Sequence, residues 1–442
     1  MGLEIPIGWL TLLMFGSLLV LLMAGLPLAF VTGGLACVFL FVLGDTDMLN
    51  MVPSRIFPLM TDYQLSAIPL FILMAAMLER AGLIQQMFDV VYKLLGGLRG
   101  GLASATVFAS TILAAMVGII GAAVVTMGII ALPAMLRRDY DPKIAMGAIM
   151  AGGTLGILIP PSILAIIYAV VAEQSVGELF IGAVMPGLML ASLYIAYITV
   201  RCYINPELGP ALPPDERLSA REKVNLLGGM VAPITLITLV LGVIFTGVAT
   251  PVEAAGIGTF GAFVVAALHR RLTWETVHQA CVTTLKASAM VLWIIFGATV
   301  FVGLYVVEGG QTFVAEALQG SGLGRWGILI LMQIILVVLG MFLDWVGILL
   351  LCVPIFVPIV KALGFDPLWF GVLYLVNMQI SFLSPPFGYA LFYLRGVAPP
   401  EIPMIDIFKA ALPFLALQIT GLTLCMVFPQ IILWLPGLVY GN

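Results

Sequence analysis

Long apolar runs alternate with short polar stretches along the whole chain. A membrane-crossing helix needs about 20 apolar residues. Runs of this kind fall at about 7–24, 28–44, 65–80, 101–136, 144–171 and 177–200, and again at about 226–248, 252–268, 284–306, 326–360, 368–394 and 405–434. The stretch from Arg201 to Asn225 separates the two sets and holds four prolines and eight charged residues. The pattern predicts an all-α polytopic membrane protein with six elements, a linker and six further elements.

Two of these runs, 101–136 and 326–360, are too long for a single crossing. Lys and Arg concentrate in cytoplasmic loops, and basic residues flank the first long run on both sides: Lys93 and Arg99 before it, and Arg137, Arg138 and Lys143 after it. Both of its ends are therefore predicted on the cytoplasmic side, which makes it a re-entrant helical hairpin. The second long run fits a hairpin that enters from the periplasmic side.

These two hairpins give a consistent orientation for the chain. With a cytoplasmic linker, 15 of the 18 basic residues lie on the cytoplasmic side. The exceptions are Arg55, Arg325 and Lys361. Both termini are then predicted in the periplasm.

The two halves share an unusual set of residues at a constant spacing. Pro133, Asp141-Pro142, Pro160-Pro161 and Tyr168 recur 225 residues later as Pro358, Asp366-Pro367, Pro385-Pro386 and Tyr393. Because the element order is the same and the orientation opposite, the sequence predicts an inverted-topology repeat, which is typical of secondary transporters.

The repeat divides the chain into three segments. The first repeat, 1–200, holds scaffold helices at about 7–80, a hairpin at 101–136 and a broken helix at 144–171. The segment 201–225 is the cytoplasmic linker. The second repeat, 226–442, holds scaffold helices at about 226–306, a hairpin at 326–360 and a broken helix at 368–394.

Composition supports a membrane protein and excludes several functions. Hydrophobic residues make up 62% of the chain and charged residues 9%, against about 25% charged residues in soluble domains. A net charge of −4 without a basic cluster argues against nucleic acid as a partner. The five cysteines form no CxxC pair, and no HExxH, P-loop or GxSxG motif occurs. We therefore expect no enzyme activity, no cofactor and no redox centre, and we interpret the first apolar run as a membrane helix.

A Pro-Pro pair interrupts the run after each hairpin. The first pair is Pro160-Pro161, followed by Ser162, and the second is Pro385-Pro386, followed two residues later by Gly388. Two prolines should unwind a helix, and unwound backbone at membrane depth lines protein or a wet cavity. Freed carbonyl groups there can bind a cation, and helix N-termini favour an anion. The alternative is a simple proline kink.

The hairpin tips are expected to meet these breaks. The first tip has small residues at Gly118, Gly121 and Ala122, followed by Thr126. In the second tip, Gly340 precedes Asp344, an acidic residue deep in an apolar run. An intramembrane carboxylate is a candidate functional site, and the alternative is a helix N-cap.

Further polar residues flank the breaks. Thr154 lies before the first break, Asn377 and Gln379 lie before the second, and Arg395 follows the second. Arg395 is a candidate ligand for an anionic substrate, and the alternative is an interfacial anchor. The buried amides either line the site or serve as interhelical hydrogen-bonding groups.

At these residues the chain resembles the large membrane subunit of TRAP transporters, the DctM-like family. The resemblance is carried by Ser66-Ala-Ile-Pro69-Leu-Phe71-Ile-Leu-Met74, by Gly153-Thr-Leu-Gly156-Ile-Leu-Ile-Pro160-Pro161-Ser162, and by Ser384-Pro385-Pro386-Phe-Gly388 with Gly396-Val397-Ala398. It runs from about residue 5 to 435.

The resemblance implies sodium-driven uptake of small organic acids by an elevator mechanism in the bacterial inner membrane. Na⁺ would be the coupling ion. The partners would be a small four-helix membrane subunit, a periplasmic substrate-binding protein, membrane lipid and a small organic anion.

The resemblance, together with the residues at the breaks and tips, gives two sets of candidate ligands. The sodium ligands would be Gly121, Ala122, Thr126, Thr154, Gly156, Gly340, Asp344, Ser381 and Ser384. The substrate ligands would be Pro160, Pro161, Ser162, Asn377, Pro385, Pro386, Gly388 and Arg395. Many relatives have Ser-Gly-Ser at the first tip where this chain has Ile120-Gly121-Ala122, so the first sodium site would rely on backbone carbonyls.

Two other functions are compatible with parts of the pattern. A sodium- or proton-coupled organic-anion symporter of the same architecture would need no binding protein. A channel or a non-transporting membrane scaffold would need neither hairpins nor matched breaks.

Overall fold

The computed structural model describes residues 5–117, 120–213 and 220–441. The first half forms α1 (Ile7–Met23), α2 (Leu28–Met48), α3 (Met51–Met60), α4 (Ala67–Arg80), α5 (Leu83–Leu95), α6 (Gly101–Val117), α7 (Ile120–Leu136), α8 (Pro142–Thr154), α9 (Ile163–Ala172) and α10 (Val176–Ile204). The second half forms α11 (Ala220–Phe245), α12 (Pro251–Leu268), α13 (Trp274–Val307), α14 (Gly310–Gln319), α15 (Arg325–Gly340), α16 (Trp345–Ala362), α17 (Pro367–Leu383), α18 (Tyr389–Arg395), α19 (Met404–Val427) and α20 (Gln430–Tyr440). Short 3₁₀ turns lie at Tyr63–Ser66, Leu155–Ile157 and Pro206–Leu208.

Both long runs divide into two helices that contact each other. The run 101–136 forms α6 and α7, called the first hairpin, and the run 326–360 forms α15 and α16, called the second hairpin. The tip residues Gly118 and Ile119 and the side chain of Ala122 lie outside the described residues. The division of each run into two helices is confirmed, and the membrane face from which each hairpin enters stays a prediction.

Both predicted helix breaks are confirmed. Helices α8 and α9 are separated by the Pro160-Pro161 segment, and α17 and α18 by Pro385-Pro386, with a cis peptide bond in each pair. Equivalent residues start the two broken helices. Asp141 accepts hydrogen bonds from the backbone N–H groups of Lys143 and Ile144, and Asp366 accepts one from Trp369. Each Asp therefore satisfies free N–H groups of a first turn that begins with proline.

Four helices were not separate elements in the sequence pattern. They are α3, α5, α14 and α20. Helix α5 shows the reason: Met87 and Phe88 are buried, whereas Gln85, Gln86 and Asp89 are exposed. Such a one-sided helix never forms a continuous apolar run of membrane-crossing length.

The observed helices follow the 225-residue spacing more fully than the sequence motifs do. Helix α14 stands at the position equivalent to α5, and α19 at the position equivalent to α10. One difference stands out. The segments Thr46–Met60 and Tyr63–Arg80 are bent by 61°, whereas the equivalent segment of the second half is the continuous 34-residue helix α13.

Helix lengths fit a polytopic membrane protein. Within the described residues, five helices are individually long and apolar enough to cross a membrane, and the bent pair adds a sixth. Both arms of the first hairpin and the first arm of the second are shorter apolar helices, as are α9 and α17. Of the predicted linker 201–225, residues 201–204 belong to α10 and residues 220–225 to α11, so the helices extend into both of its ends.

Helices α8 and α17, the first parts of the two broken helices, lie in the interior of the molecule. Every residue of α8 from Ile144 to Thr154 is buried, and so is every residue of α17 from Leu368 to Leu383. A helix buried on all sides belongs to the interior. Helix α8 contacts both arms of the first hairpin, and α17 contacts both arms of the second. Large apolar side chains such as Trp9, Phe30 and Trp293 are exposed on the outer helices, as expected for a lipid-facing surface.

Candidate functional site

The first broken helix packs closely against the first hairpin through two glycines. A Cβ atom on Gly152 would stand 2.8 Å from Cβ of Ser110 on α6, and one on Gly153 would stand 2.4 Å from Cγ2 of Val124 on α7. Helix α7 also contacts the Leu155–Ile157 turn, which contains Gly156. The structure therefore packs α7, the helix that carries the predicted ligands of the first tip, against the segment that contains Thr154 and Gly156.

The first tip also contacts residues from other elements. A Cβ atom on Gly121 would stand 3.1 Å from Cζ of Tyr393 on α18. The hydroxyl of Thr126 faces the carboxylate of Glu79 at the end of α4. Thr126 is thus positioned toward α4, and its assignment as a sodium ligand stays a prediction.

The first break itself is completely buried. Residues Ile157 to Ser162 lie inside the molecule. The Ser162 hydroxyl donates to the carbonyl of Ile157 at 2.6 Å and accepts from the N–H of Ala165 at 3.4 Å. Ser162 therefore links the two sides of the break and caps α9. Pro160 and Pro161 lie in the backbone between Ile157 and Ser162.

Thr154 joins the two halves of the molecule. Its hydroxyl lies 3.3 Å from Oε1 of Gln379, the residue at the equivalent position 225 residues later. Gln418 on α19 donates to the same hydroxyl at 3.2 Å. All three side chains are 0% exposed. The Tyr194 hydroxyl faces Gln418 and Thr154. Within the part of the chain that the structure describes, Gln379 Nε2, Gln418 Oε1 and the Tyr194 hydroxyl make no regular hydrogen bond.

Removing the Thr154 hydroxyl is expected to uncouple these glutamines. In Thr154→Val, each glutamine loses a buried partner, and such interhelical bonds contribute about 0.6–2 kcal/mol in membrane proteins. We expect a lower melting temperature in detergent and a non-additive effect when Thr154→Val is combined with Gln379→Leu. Thr420→Val is the matched control because its hydroxyl is exposed and bonds only within α19. Additive effects of the two substitutions would contradict the contact.

The second hairpin is tied to α17 by polar groups. Asn377 donates to the backbone carbonyl of Gln333 at 3.0 Å and to its side-chain oxygen at 2.7 Å. Ser381 donates to the carbonyls of Asn377 at 3.3 Å and Leu336 at 3.4 Å. A Cβ atom on Gly340 would stand 2.2 Å from Cβ of Ser381. The structure thus brings Gly340 and Ser381 together, and it uses the Asn377 amide group to bind α15.

Asp344 lies at the second tip, at the start of α16. Its side chain faces the backbone N–H groups of Trp345 and Val346, but it makes no regular capping hydrogen bond. Among the described residues, its Oδ2 atom is buried without a hydrogen-bond partner. An unpartnered carboxylate oxygen at this position is suited to bind a cation.

The second break is more exposed than the first. Pro386 and Phe387 are exposed, and the Phe387 ring packs 5.5 Å from the ring of Phe342 at the second tip. The Ser384 hydroxyl donates to the carbonyl of Ile380 at 2.7 Å, and the Gly388 N–H donates to the carbonyl of Ser384 at 3.0 Å. The second tip and the second break therefore contact each other, and this contact is exposed at the surface.

Arg395 lies at the far end of this broken helix. Its guanidinium donates to the carbonyl of Ile402 at 2.6 Å. The bond holds the turn that follows α18, so at least one of its donors has an internal partner. Its assignment as a substrate ligand stays a prediction.

Sequence reasoning missed four polar residues at these contacts. They are Glu79, Tyr194, Gln333 and Gln418. Tyr194, Gln333 and Gln418 are polar side chains within apolar segments, and this pattern is visible in the sequence. The pattern does not show which other helix each side chain contacts.

Two matched halves, each with a hairpin packed on a broken helix, define a polytopic membrane transporter fold. Solved transporters share it. The Alcanivorax borkumensis YdaH transporter superposes with a TM-score of 0.62 at 16% identity, covering 94% of this chain and 99% of that one. Neisseria gonorrhoeae MtrF superposes with a TM-score of 0.57 at 16% identity, covering 87% and 85%.

The sequence matches the family described as "Tripartite ATP-independent periplasmic transporter, DctM component" over residues 15–431. The C4-dicarboxylate large permease DctM of Rhodobacter capsulatus is 33% identical, with 97% of this chain and 99% of the relative covered. The sialic acid large permease SiaM of Vibrio cholerae is 30% identical over 95% and 97%. The isethionate permease DctMQ of Oleidesulfovibrio alaskensis is 29% identical over 96% of this chain and 66% of the relative. The chain belongs to the DctM family of TRAP transporter large permeases, a family of multi-pass membrane transporters for organic acids rather than enzymes.

Proposed function

We propose that the chain is the large membrane subunit of a sodium-driven tripartite system that takes up small organic acids across the bacterial inner membrane. The unpartnered, buried Oδ2 of Asp344 carries the sodium part of this proposal. It lies at a hairpin tip whose Gly340 touches Ser381, so a charged ligand and hydroxyl and carbonyl oxygens are gathered near the second break. Hard cations take such oxygen ligands.

Substrate binding is assigned to the breaks and the tips that meet them. Helix α18 starts after Gly388, and α9 starts after Ser162. Apart from the Ala165 N–H, which Ser162 caps, the first-turn N–H groups would favour the carboxylate of an organic acid. Under this proposal Pro160, Pro161, Pro385 and Pro386 hold the backbone open rather than contact the substrate through polar atoms.

Movement follows an elevator scheme in our proposal. The two hairpins and the two broken helices form the moving body. The outer helices α1 to α4 in 1–200 and α11 to α13 in 226–442 form the scaffold. Close contacts within the moving body, such as Gly153 against Val124 and Gly340 against Ser381, support its behaviour as one unit. Under this proposal both termini lie in the periplasm.

Two partner proteins complete the proposed system. A periplasmic binding protein would deliver the organic anion, and a small four-helix membrane subunit would hold the scaffold. The relative DctMQ supports the second partner, because this chain accounts for only 66% of it. Membrane lipid surrounds the exposed apolar helices.

Proteoliposome uptake tests the proposal. Vesicles holding this chain, the small subunit and the binding protein are given an inward sodium gradient and a panel of labelled organic acids, and each protein is omitted in turn. We expect uptake that needs sodium and all three proteins. Uptake by this chain alone would instead identify a free-standing symporter. Uptake driven equally well by a proton gradient in the absence of sodium would identify the proton as the coupling ion.

A further inference from the structure

A cleft away from the two tips contains an arginine. The cleft has a volume of about 280 Å³ and separates two groups of helices. Helices α3, α13 and α14 contribute Arg55, Thr299 and Gln311 on one side, and α9 and α16 contribute Val170 and Leu350 on the other. Its walls therefore belong to both the scaffold and the moving body of the proposed mechanism.

Arg55 is the basic side chain of this cleft. Among the described residues its guanidinium takes part in no hydrogen bond, ion pair or ring contact. Its side chain is exposed and lines the cleft, so the guanidinium is accessible to a ligand that enters there. It is also one of the three basic residues that the orientation rule leaves on the periplasmic side.

The backbone of α13 leaves room for this side chain. A Cβ atom on Gly303 would stand 3.1 Å from Nε and 3.4 Å from Cδ of Arg55. The arginine stem therefore lies across Gly303, with the side chain lining the cleft beside the polar side chains of Gln311 and Thr299. A planar guanidinium binds two oxygens of one oxyanion at once, whether the oxyanion is a carboxylate or a phosphate.

We propose that the Arg55 cleft is an oxyanion subsite, distinct from the breaks, that takes a carboxylate of the transported organic anion as it enters from the periplasmic side. This inference rests on the proposed function for the identity of the anion. Because the cleft lies between the scaffold and the moving body, movement of the moving body would open or close the subsite. The bound anion would then be released toward the cytoplasmic side. A phospholipid phosphate is the other source of the same chemistry.

Labelling of a cysteine in the cleft tests the subsite directly. Gln311→Cys is made in a chain whose exposed Cys37 and Cys281 are replaced by serine, and its reaction with a neutral maleimide is timed in detergent with and without succinate. We expect succinate to slow the reaction about threefold or more when Arg55 is present, since the guanidinium holds the carboxylate beside it. The slowing should disappear in Arg55→Gln and be weaker in Arg55→Lys, which lacks the planar fork.

Arg271→Gln is the matched control. It removes one exposed positive charge from the turn between α12 and α13, outside the cleft, and succinate should protect the engineered cysteine as before. Protection that persists in Arg55→Gln, or no protection in the parent chain, would overturn the subsite. Protection by phosphatidylglycerol vesicles but not by phosphatidylcholine vesicles or succinate would assign Arg55 to a lipid headgroup and overturn the substrate assignment.

Uptake by the complete system separates this inference from the proposed function. We expect Arg55→Gln to raise the KM for the organic acid about tenfold, equivalent to about 1.4 kcal/mol, while the sodium dependence stays unchanged. An unaltered KM with intact sodium-driven uptake would overturn the subsite and leave the proposed function standing. Absence of sodium-driven uptake in the parent system would overturn the proposed function, while the labelling result would still report on the cleft.

Discussion

Asp344→Asn is expected to raise the sodium concentration that half-saturates uptake by about tenfold or more, a loss of about 1.4 kcal/mol for each factor of ten. The substitution keeps the shape of the side chain but removes the negative charge that its buried, unpartnered Oδ2 would offer to a cation. Uptake in proteoliposomes, measured over a range of sodium concentrations, checks the prediction.

Asp366→Asn is the control for this experiment. Asp366 caps α17 through a hydrogen bond from the Trp369 N–H at 3.0 Å, and Asn is an equally good N-cap. Its sodium profile should therefore match that of the unaltered protein. A sodium profile unchanged by Asp344→Asn would remove Asp344 from the cation site, and an altered response to a proton gradient without sodium would indicate proton coupling.

Gly388→Ala is expected to abolish most of the uptake and to lower the melting temperature of the purified protein. A Cβ atom at Gly388 would stand 2.4 Å from the carbonyl oxygen of Phe382 and 2.9 Å from that of Ser384. Both are backbone atoms, so the break itself must shift, and overpacking of this kind costs about 1–3 kcal/mol. Melting in detergent and initial uptake rates are the measurements.

Gly396→Ala provides the comparison for this substitution. Gly396 follows the same short helix, but its nearest neighbour would be 3.4 Å from a new Cβ atom. Uptake and melting temperature should therefore stay close to those of the unaltered protein. Equal effects of the two substitutions would show that the backbone at the second break is not tightly constrained.

The positions of the breaks and hairpins were predictable because their signals are local. Proline removes a backbone donor wherever it lies, and Pro160-Pro161 and Pro385-Pro386 interrupt helices in the structure. The helices α5 and α14 were not predictable from apolar run length, because one face of each is polar and their stability comes from packing against neighbours. Helix α3 has only ten residues, which is shorter than a membrane crossing.

The contacts among the candidate site residues were only partly predictable. Gly340 and Ser381 belong to the same predicted sodium set and meet in the structure. Asn377 was expected near substrate, yet its amide is bonded to Gln333, a residue whose sequence context is an unremarkable apolar run. The sequence does not show which buried amide groups form a hydrogen bond with each other.

The sequence by itself determined that this is an all-α membrane protein, that its two halves repeat at a spacing of 225 residues and that each half contains a helix broken at two prolines. These properties follow from composition, run length and backbone chemistry, which act within a few residues. Only the tertiary structure decided that Thr154 meets Gln379, that Asp344 keeps an unpartnered oxygen and that Arg55 lines a cleft between two groups of helices. Those arrangements depend on how helices far apart in the chain pack together, and close packing selects partners by shape as well as by polarity.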